Sequence, residues 1–327
     1  MKTASAFGRA GVLGLIFSLC SLAAGQDFPT KPIRLLVPAA PGGGADFLAR
    51  IIATRLGESL GQSVVVDNRA GASGTIAAGA TAKAEPDGYT MLLGQSTSMV
   101  IAPQLIPKLS YDTLRELSPV TLVAEVPNVL VVHPSVPVNN VAELIALAKA
   151  KPNSLNFASA GNGAPSHLAG EMFKTSTGTT LTHVPYKGAG PAVNALIASE
   201  VQLMFAPIVA VLPHVKSGRL KALAVTSAAR SKAAPELPTL AESGLSGYEI
   251  SSWFGLFVPT GTPAPVIDRL YRETVAVLKS ADVIERFSKE GAEPIGNSPA
   301  SFQKYVRSEF DKYTKVIKDN NIKADGS

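Results

Sequence analysis

Residues 31–50 read KPIRLLVPAAPGGGADFLAR and predict a strand, a turn and a helix in succession. We expect a buried strand over 33–37 and a helix over 45–60 whose apolar face begins with Phe47 and Leu48. The Pro-Gly-rich turn between them has almost no side-chain bulk. Such a turn exposes backbone N–H groups at the start of a helix, where free donors and the helix dipole favour an anion. The segment therefore predicts an anion-binding loop.

The rest of the chain alternates β-branched runs with helical patterns, which is typical of parallel sheets built from strand–helix–strand units. Strands are predicted over 33–37, 64–67, 90–93, 117–124, 128–132, 155–158, 181–184, 201–205, 220–226 and 253–258. Helices are predicted over 45–60, 75–84, 141–150, 166–177 and 191–198. Two further helices are expected to begin at Thr262-Pro263 and Ser298-Pro299, where a capping residue precedes a proline. The last helix carries an apolar stripe that predicts packing against a core: Phe302, Tyr305, Val306, Phe310, Tyr313 and Ile317.

The first 25 residues have the features of a secretory signal peptide. Lys2 and Arg9 precede an apolar run over 11–22, and the small residues at 23–25 predict cleavage after Gly25. The run is too short for a membrane-spanning helix, and no later run approaches about 20 apolar residues. Cys20 is the only cysteine, and lipidation there is disfavoured because no small residue directly precedes it. We therefore expect an exported mature chain without thiol chemistry.

Length and charge set further limits. Removal of residues 1–25 leaves 302 residues, which exceeds what one core usually holds, so two lobes are expected. The formal charge of +5 includes Lys2 and Arg9, which leaves about +3 for the mature chain. Basic residues are scattered and aromatic residues are few, so the sequence shows no nucleic-acid-binding pattern.

Seven segments resemble the motifs of one receptor family in order and spacing. They are residues 31–50, GQSVVVDNRAGASG at 61–74, PDGYT at 86–90, HVPYKG at 183–188, LAVTS at 223–227, PTLAESG at 238–244 and WFGLFVP at 253–259. The resemblance extends over essentially all of residues 28–323, and the collinearity of the seven segments is a stronger signal than any single match. The chain thus resembles the Bug family, the periplasmic solute receptors of tripartite tricarboxylate transporters.

The resemblance implies an α/β protein with a two-lobed, flytrap-like fold, each lobe a mainly parallel sheet flanked by helices. The chain would build most of lobe one over 26–124, build lobe two over 125–250, and return to lobe one over 251–327. The implied function is that of a periplasmic receptor that captures a small organic carboxylate and delivers it to integral-membrane transporter subunits. We expect a monomer.

The resemblance also implies that the ligand lies between the lobes, at the carboxyl ends of the parallel strands, where four loops have suitable chemistry. The predicted ligand-binding residues are Ala40, Pro41, Gly42, Gly43, Gly44, Ser96, Thr97, Ser98, Ser159, Ala160, Gly161, Gly163, His167, Tyr186 and Lys187. In the family pattern, backbone N–H groups, hydroxyls and bridging waters hold the ligand carboxylates. Aligned dipoles can hold an anion without the desolvation cost of a buried counter-charge.

Two positions depart from the family pattern. Ala39 and Ala40 stand where the family often has an aromatic residue, and Gln202 stands where an aspartate is common. Loss of a ring beside the first loop would widen the pocket. A small dicarboxylate and a bulkier or aromatic carboxylate are therefore both kept as candidate ligands.

Enzymatic alternatives have weaker support. Gly42-x-Gly44 after a strand partly mimics a dinucleotide-binding motif, but Phe47 replaces the third glycine. Ser166-His167 lacks the hydrolase nucleophile elbow, so the serine is expected to cap a helix and the histidine to line the cleft or to pack. We expect no enzymatic activity and no cofactor.

The histidines offer no metal site in the sequence. All four are isolated, with no partner at metal-ligand spacing: His133, His167, His183 and His214. One functional alternative stays open, namely a ligand-binding protein that docks a sensor kinase instead of a permease.

Overall fold

Ten strands and eleven α-helices form the part of the chain that the computed structural model describes, residues 28–42 and 44–323. The predicted signal peptide, Cys20 and Gly43 lie outside it. The strands are β1 (Ile33–Val37), β2 (Val64–Asn68), β3 (Thr90–Gln95), β4 (Leu117–Val132), β5 (Asn156–Ser159), β6 (Thr182–Pro185), β7 (Leu203–Pro207), β8 (Lys221–Val225), β9 (Ser251–Pro259) and β10 (Glu293–Pro294). The α-helices are α1 (Gly44–Leu60), α2 (Thr75–Ala82), α3 (Ala102–Leu105), α4 (Thr113–Glu116), α5 (Val141–Ala150), α6 (Pro165–Thr177), α7 (Ala189–Ile197), α8 (Ile208–Lys216), α9 (Ala264–Leu278), α10 (Ala281–Lys289) and α11 (Pro299–Asp319). A 3-10 turn spans Ala72–Gly74 and a π-helical turn spans Thr97–Ile101.

The strands form two sheets of matching order that share β4. The first sheet runs β2-β1-β3-β9-β4, with β10 beyond β4, and the second runs β6-β5-β7-β4-β8. In the first sheet only β9 and β10 oppose the other strands, and in the second only β4 does. Each sheet is therefore mainly parallel, as predicted. The carboxyl ends of β1 and β3 in one sheet, and of β5 and β7 in the other, carry the loops of interest.

β4 changes partner where it passes from one sheet to the other. Leu117–Pro127 pairs with β9, and Asn128–Val132 pairs with β7 and β8. The prediction of two separate strands, 117–124 and 128–132, is wrong because β4 is continuous. The two prolines within β4 are tolerated because Pro119 lies at a register shift and Pro127 at the change of partner.

The C-terminal helix packs as its apolar stripe predicts. Phe302, Val306 and Tyr313 of α11 are buried, and Phe302 meets the fully buried Trp253 of β9 edge to face, with ring centroids 5.9 Å apart. Gln104 Nε2 donates to the Phe310 carbonyl of α11 at 2.9 Å. The chain thus returns after β9 to cover the first sheet and to support the segment after β3.

The predicted capping residue agrees with the structure in one helix out of three. Ser298 caps α11, because its Oγ accepts a hydrogen bond from the Ser301 N–H at 3.2 Å. Thr262 does not cap α9, since its hydroxyl donates to the Pro259 carbonyl and the helix begins one residue later than predicted. Ser166 lies inside α6, whose N-cap is Ala164.

No helix within 28–42 and 44–323 has the length and apolarity needed to cross a membrane.

Candidate functional site

A buried carboxylate anchors the loop between β1 and α1. The Asp46 side chain, in the first turn of α1, is only 4% exposed. Its Oδ2 accepts hydrogen bonds from the Gly42 N–H and from Arg50 Nε, both at 2.9 Å, and its Oδ1 accepts one from Asn68 Nδ2 at 2.9 Å. The bond from Arg50 lowers the pKa of Asp46 to about 2 and outweighs the effect of burial. The expectation of bare donors is therefore wrong for Gly42, whose N–H is bonded to the protein's own carboxylate.

Three loops of the first sheet meet around Gly74. A Cβ at Gly74 would lie 2.8 Å from Pro38 Cβ and 3.1 Å from Ser98 Cβ, so glycine allows these loops to approach closely. The preceding Ala72 and Ser73 have φ angles of 45° and 56°, which non-glycine residues rarely adopt. Strained backbone of this kind clusters at ligand-binding sites. The sequence-based prediction omitted both residues, although the small residues that follow β2 resemble those of the first loop.

The hydroxyl-rich segment after β3 presents one of its three predicted residues to a cavity. Ser98 is fully buried, its Oγ donates to the Gln95 carbonyl at 3.1 Å, and its own carbonyl accepts a hydrogen bond from the Tyr111 hydroxyl. Ser96 is also buried. Thr97 lines the cavity described below. Ser98 therefore closes the turn, and Thr97 is the residue placed to meet a ligand.

Backbone N–H groups of the glycine-rich loop between β5 and α6 donate hydrogen bonds to side chains of the protein itself. Three of its N–H groups donate to nearby side chains: Ala160 to Ser166 Oγ at 2.9 Å, Gly161 to Ser159 Oγ at 3.1 Å, and Gly163 to His167 Nδ1 at 3.0 Å. These three N–H groups are therefore already bonded within the protein. The bonds hold the loop in one shape at the start of α6, whose dipole points its positive end toward the cleft.

Two histidines stack beside this loop. The ring centroids of His167 and His183 lie 3.9 Å apart with the rings 7° from parallel, and Phe157 stacks on His183 at 4.8 Å. Ser159 Oγ lies 2.6 Å from His183 Nε2. The parallel register of β5 and β6 sets His183 opposite Phe157, which accounts for the stacking of these two rings. His167 is 6% exposed and packs, one of the two roles expected for it.

A second buried acid lies behind the histidine stack. Burial raises the pKa of Glu171, but the His167 ring and the Lys174 ammonium, which donates to both carboxylate oxygens, outweigh it and hold the pKa below its usual range. This charge is compensated within α6 and does not enter the cavity.

The fourth predicted loop is hydrogen-bonded to the β5–α6 loop, but its two predicted residues, Tyr186 and Lys187, line neither cavity. Tyr186 is half-buried and packs against the cluster that α7 and α8 form with the second sheet. Burial and the Glu200 carboxylate raise the pKa of Tyr186. Lys187 is exposed. Neither residue lines a cavity between the sheets.

A cavity of about 400 Å³, here called the cleft cavity, lies between loops of the two sheets. It is lined by Ala72, Ser73, Thr97, Ile101, Ala102, Leu105, Ile106, Ala160, Gly161, Asn162, Gly163, Ala164 and Pro165. None of these described lining residues carries a charge. The walls touch at one point, because a Cβ at Gly163 would lie 2.7 Å from Leu105 Cδ1. The volume is within the usual range for small-molecule sites.

A second space of about 390 Å³, the hinge cavity, lies beside the strands that pass between the sheets. It is lined by Ala39, Gly44, Ala45, Leu48, Gln95, Val126, Pro207, Val209, Ser252, Phe254 and Glu290. Val126 and Ser252 belong to β4 and β9, which pair here. Apart from Glu290, the described lining is uncharged.

The structure brings five of the predicted residues to these cavities. Thr97, Ala160, Gly161 and Gly163 line the cleft cavity, and Gly44 lines the hinge cavity. The others lie elsewhere: Ser96, Ser98, Ser159 and His167 are buried beside the cavities, and Ala40, Pro41 and Gly42 are exposed on the first loop. Ligand contact by any of these residues stays a prediction.

These features define a two-lobed α/β binding protein with ligand-sized cavities between sheets of matching order. The chain belongs to the tripartite tricarboxylate transporter receptor family TctC, whose model matches residues 48–322. The family resemblance predicted from the sequence is thereby confirmed.

Relatives agree along most of their length. Protein BugT of Bordetella pertussis is 38% identical over 316 residues, covering 95% of this chain and 97% of that protein. The structure of Rpa4515 from R. palustris with adipate is 40% identical with a TM-score of 0.78, covering 91% of this chain and 100% of that one. The structure of MatC from Rhodopseudomonas palustris with bound malate is 32% identical with a TM-score of 0.73, covering 89% and 100%.

Proposed function

We propose that this protein is a periplasmic receptor that binds a small organic carboxylate between its lobes. The observation that carries the proposal is the cleft cavity, which has the volume of a small-molecule site and faces the start of α6. Relatives of the same fold hold adipate and malate. Family membership supports the same role.

The chemistry of the cleft cavity suits an anion held by dipoles. Thr97 and Ser73 offer hydroxyls, and the peptide groups around Ala164 stand at the positive end of the α6 dipole. A lysine or arginine buried here would lose its hydration, and that cost would offset much of its attraction for the ligand. Hydroxyls, peptide groups and water avoid this cost.

We infer that the two lobes comprise residues 26–124 with 251–327, and 125–250. The change of partner in β4 after Pro127 and the start of β9 at Ser251 support boundaries close to these positions. The chain passes between the lobes in β4 and in β9, and both passages are continuous strands. Closure of the lobes would therefore bend these two strands. Cleavage after Gly25 would release the mature receptor.

The proposed receptor binds its ligand without changing it. Two serine–histidine pairs occur among the described residues. Ser135, which pairs with His133, is exposed and lines neither cavity, whereas Ser159, which pairs with His183, has a fully buried hydroxyl that accepts the Gly161 N–H. We assign the Ser159–His183 pair to shaping the loop.

Native mass spectrometry of freshly purified protein tests the proposal first. We expect one organic acid per chain, recovered unchanged after denaturation. Organic acids are then screened by thermal shift, where a ligand at 100 times its dissociation constant adds about 2.7 kcal/mol to the free energy of unfolding. No stabilisation by any acid, or stoichiometric conversion of a bound acid into another compound, would contradict the proposal.

Delivery to transporter subunits is tested by uptake of the recovered acid. Cells that lack this protein should lose uptake to the same extent as cells that lack the permease subunits. Normal uptake together with loss of an acid-induced transcriptional response would instead indicate a receptor for a sensor kinase.

A further inference from the structure

We infer that the ligand has a single carboxylate attached to an apolar body, and that the two cavities reject a second carboxylate. The inference rests on the proposed function and specifies the class of acid. It follows from how polar and charged groups are distributed around the cleft and hinge cavities.

The wall of the cleft cavity has a polar part and an apolar part. Its polar groups are the hydroxyls of Ser73 and Thr97, together with Asn162 and the peptides at the start of α6. The apolar part of the wall, from the end of the π-helical turn through α3, consists of Ile101, Ala102, Leu105 and Ile106. A carboxylate placed on this part of the wall would lose water and gain no donor from a side chain, which is strongly unfavourable.

The hinge cavity carries an acid that opposes a second carboxylate, although Gln95, Ser252 and the start of α1 also line it. Glu290 lines it and is the one charged side chain in its described lining. Behind Gly44 and Ala45, the first turn of α1 already holds the buried carboxylate of Asp46, which takes the Gly42 N–H. A ligand carboxylate would therefore meet the Glu290 carboxylate in the cavity, whereas the charge of Asp46 is already balanced by Arg50.

The same surfaces favour an apolar group. Leu48, Val126, Phe254 and Val209 contribute to the hinge cavity, and Leu105 contributes to the cleft cavity. An alkyl chain or ring that extends along either surface would gain from leaving water without requiring a partner. One end of the ligand is thus recognised by dipoles and the rest by apolar contact.

Titration calorimetry with hexanoate and adipate tests the inference, because these acids have the same length and differ in the distal carboxylate. Benzoate and malate extend the panel. We expect the tightest ligand to be a monocarboxylate and hexanoate to bind at least tenfold more tightly than adipate. A dicarboxylate as the tightest ligand would overturn the inference and leave the proposed receptor function intact. Failure of every acid to bind would refute the proposed function itself.

Two variants test the physical cause. Leu105→Lys places a cation on the apolar wall, and Glu290→Gln removes the acid from the hinge cavity. Each should shift the affinity ratio toward adipate, the first by at least tenfold. Glu285→Gln is the matched control, because it removes an exposed acid of α10 that lines neither cavity, and it should leave the ratio unchanged. A wild-type ratio in both cavity variants would overturn the inference.

Discussion

Asp46→Asn should destabilise the protein through the first loop. The carboxylate accepts three hydrogen bonds, from Gly42, Arg50 and Asn68, whereas an asparagine has one oxygen acceptor and presents an NH₂ donor to the remaining donors. The pKa of Asp46 falls from its ordinary 3.8 to about 2 on folding. At 1.36 kcal/mol per pKa unit, this corresponds to about 2 kcal/mol of stability at neutral pH.

The direction of the pKa shift determines how the stabilisation by Asp46 changes with pH. Because folding lowers the pKa of Asp46, its contribution is complete above pH 3.8 and is lost as the pH falls through about 2. Urea unfolding followed by circular dichroism should show a loss of about 2 kcal/mol in Asp46→Asn at pH 7, and this loss should shrink as the pH approaches 2.

An exposed ion pair supplies the control for Asp46. Asp282 also pairs with an arginine, Arg55, but its side chain is 42% exposed. Asp282→Asn should cost clearly less than Asp46→Asn, since exposed ion pairs contribute little. Equal costs for the two substitutions at pH 7, or a cost at Asp46 that does not change with pH, would refute the reasoning.

Three further predictions concern the loops and the core. Gly163→Ala should weaken ligand binding, measured by calorimetry, at least tenfold because its Cβ would meet the Leu105 side chain across the cleft cavity. Gly178→Ala is the control, because Gly178 has a similar positive φ with open space around it, and this change should leave the affinity unchanged. Gly170→Ala should lower the free energy of urea unfolding by about 1–3 kcal/mol because its Cβ would clash with the Phe157 ring. Lys187→Ala should change affinity less than threefold, since Lys187 is exposed and lines neither cavity; complete loss of binding would indicate an ion pair instead.

Much of the fold could be predicted because hydrophobic periodicity and turn residues act locally. β1 and α5 have the predicted bounds, and the strand–helix alternation predicted the parallel pairings of β5 with β6 and β7. Non-local effects were missed. β4 was predicted as two strands because Pro127 suggests a break. The strand nevertheless continues, because Pro127 lies where β4 changes partner and its missing N–H is tolerated there. α8 was missed because its β-branched residues and Pro213 disfavour a helix.

The site was predicted less completely than the fold. The composition of the loops located Thr97, Gly161 and Gly163, but it does not reveal which N–H groups the protein uses itself. The sequence pattern correctly placed Asp46 in a helix, but it did not reveal that the Asp46 carboxylate accepts the Gly42 N–H of the predicted anion loop. The apolar wall around Leu105 was missed because the segment after β3 has no clear helical pattern. These features depend on contacts between loops that are distant in sequence.

The most direct test of the receptor account is a crystal structure with the acid recovered from the purified protein. The account predicts that the carboxylate lies in the cleft cavity, within hydrogen-bonding distance of Thr97 or of the segment 160–165, with the apolar body against Leu105. An acid bound outside the cleft cavity, or one held by Lys187, would contradict it.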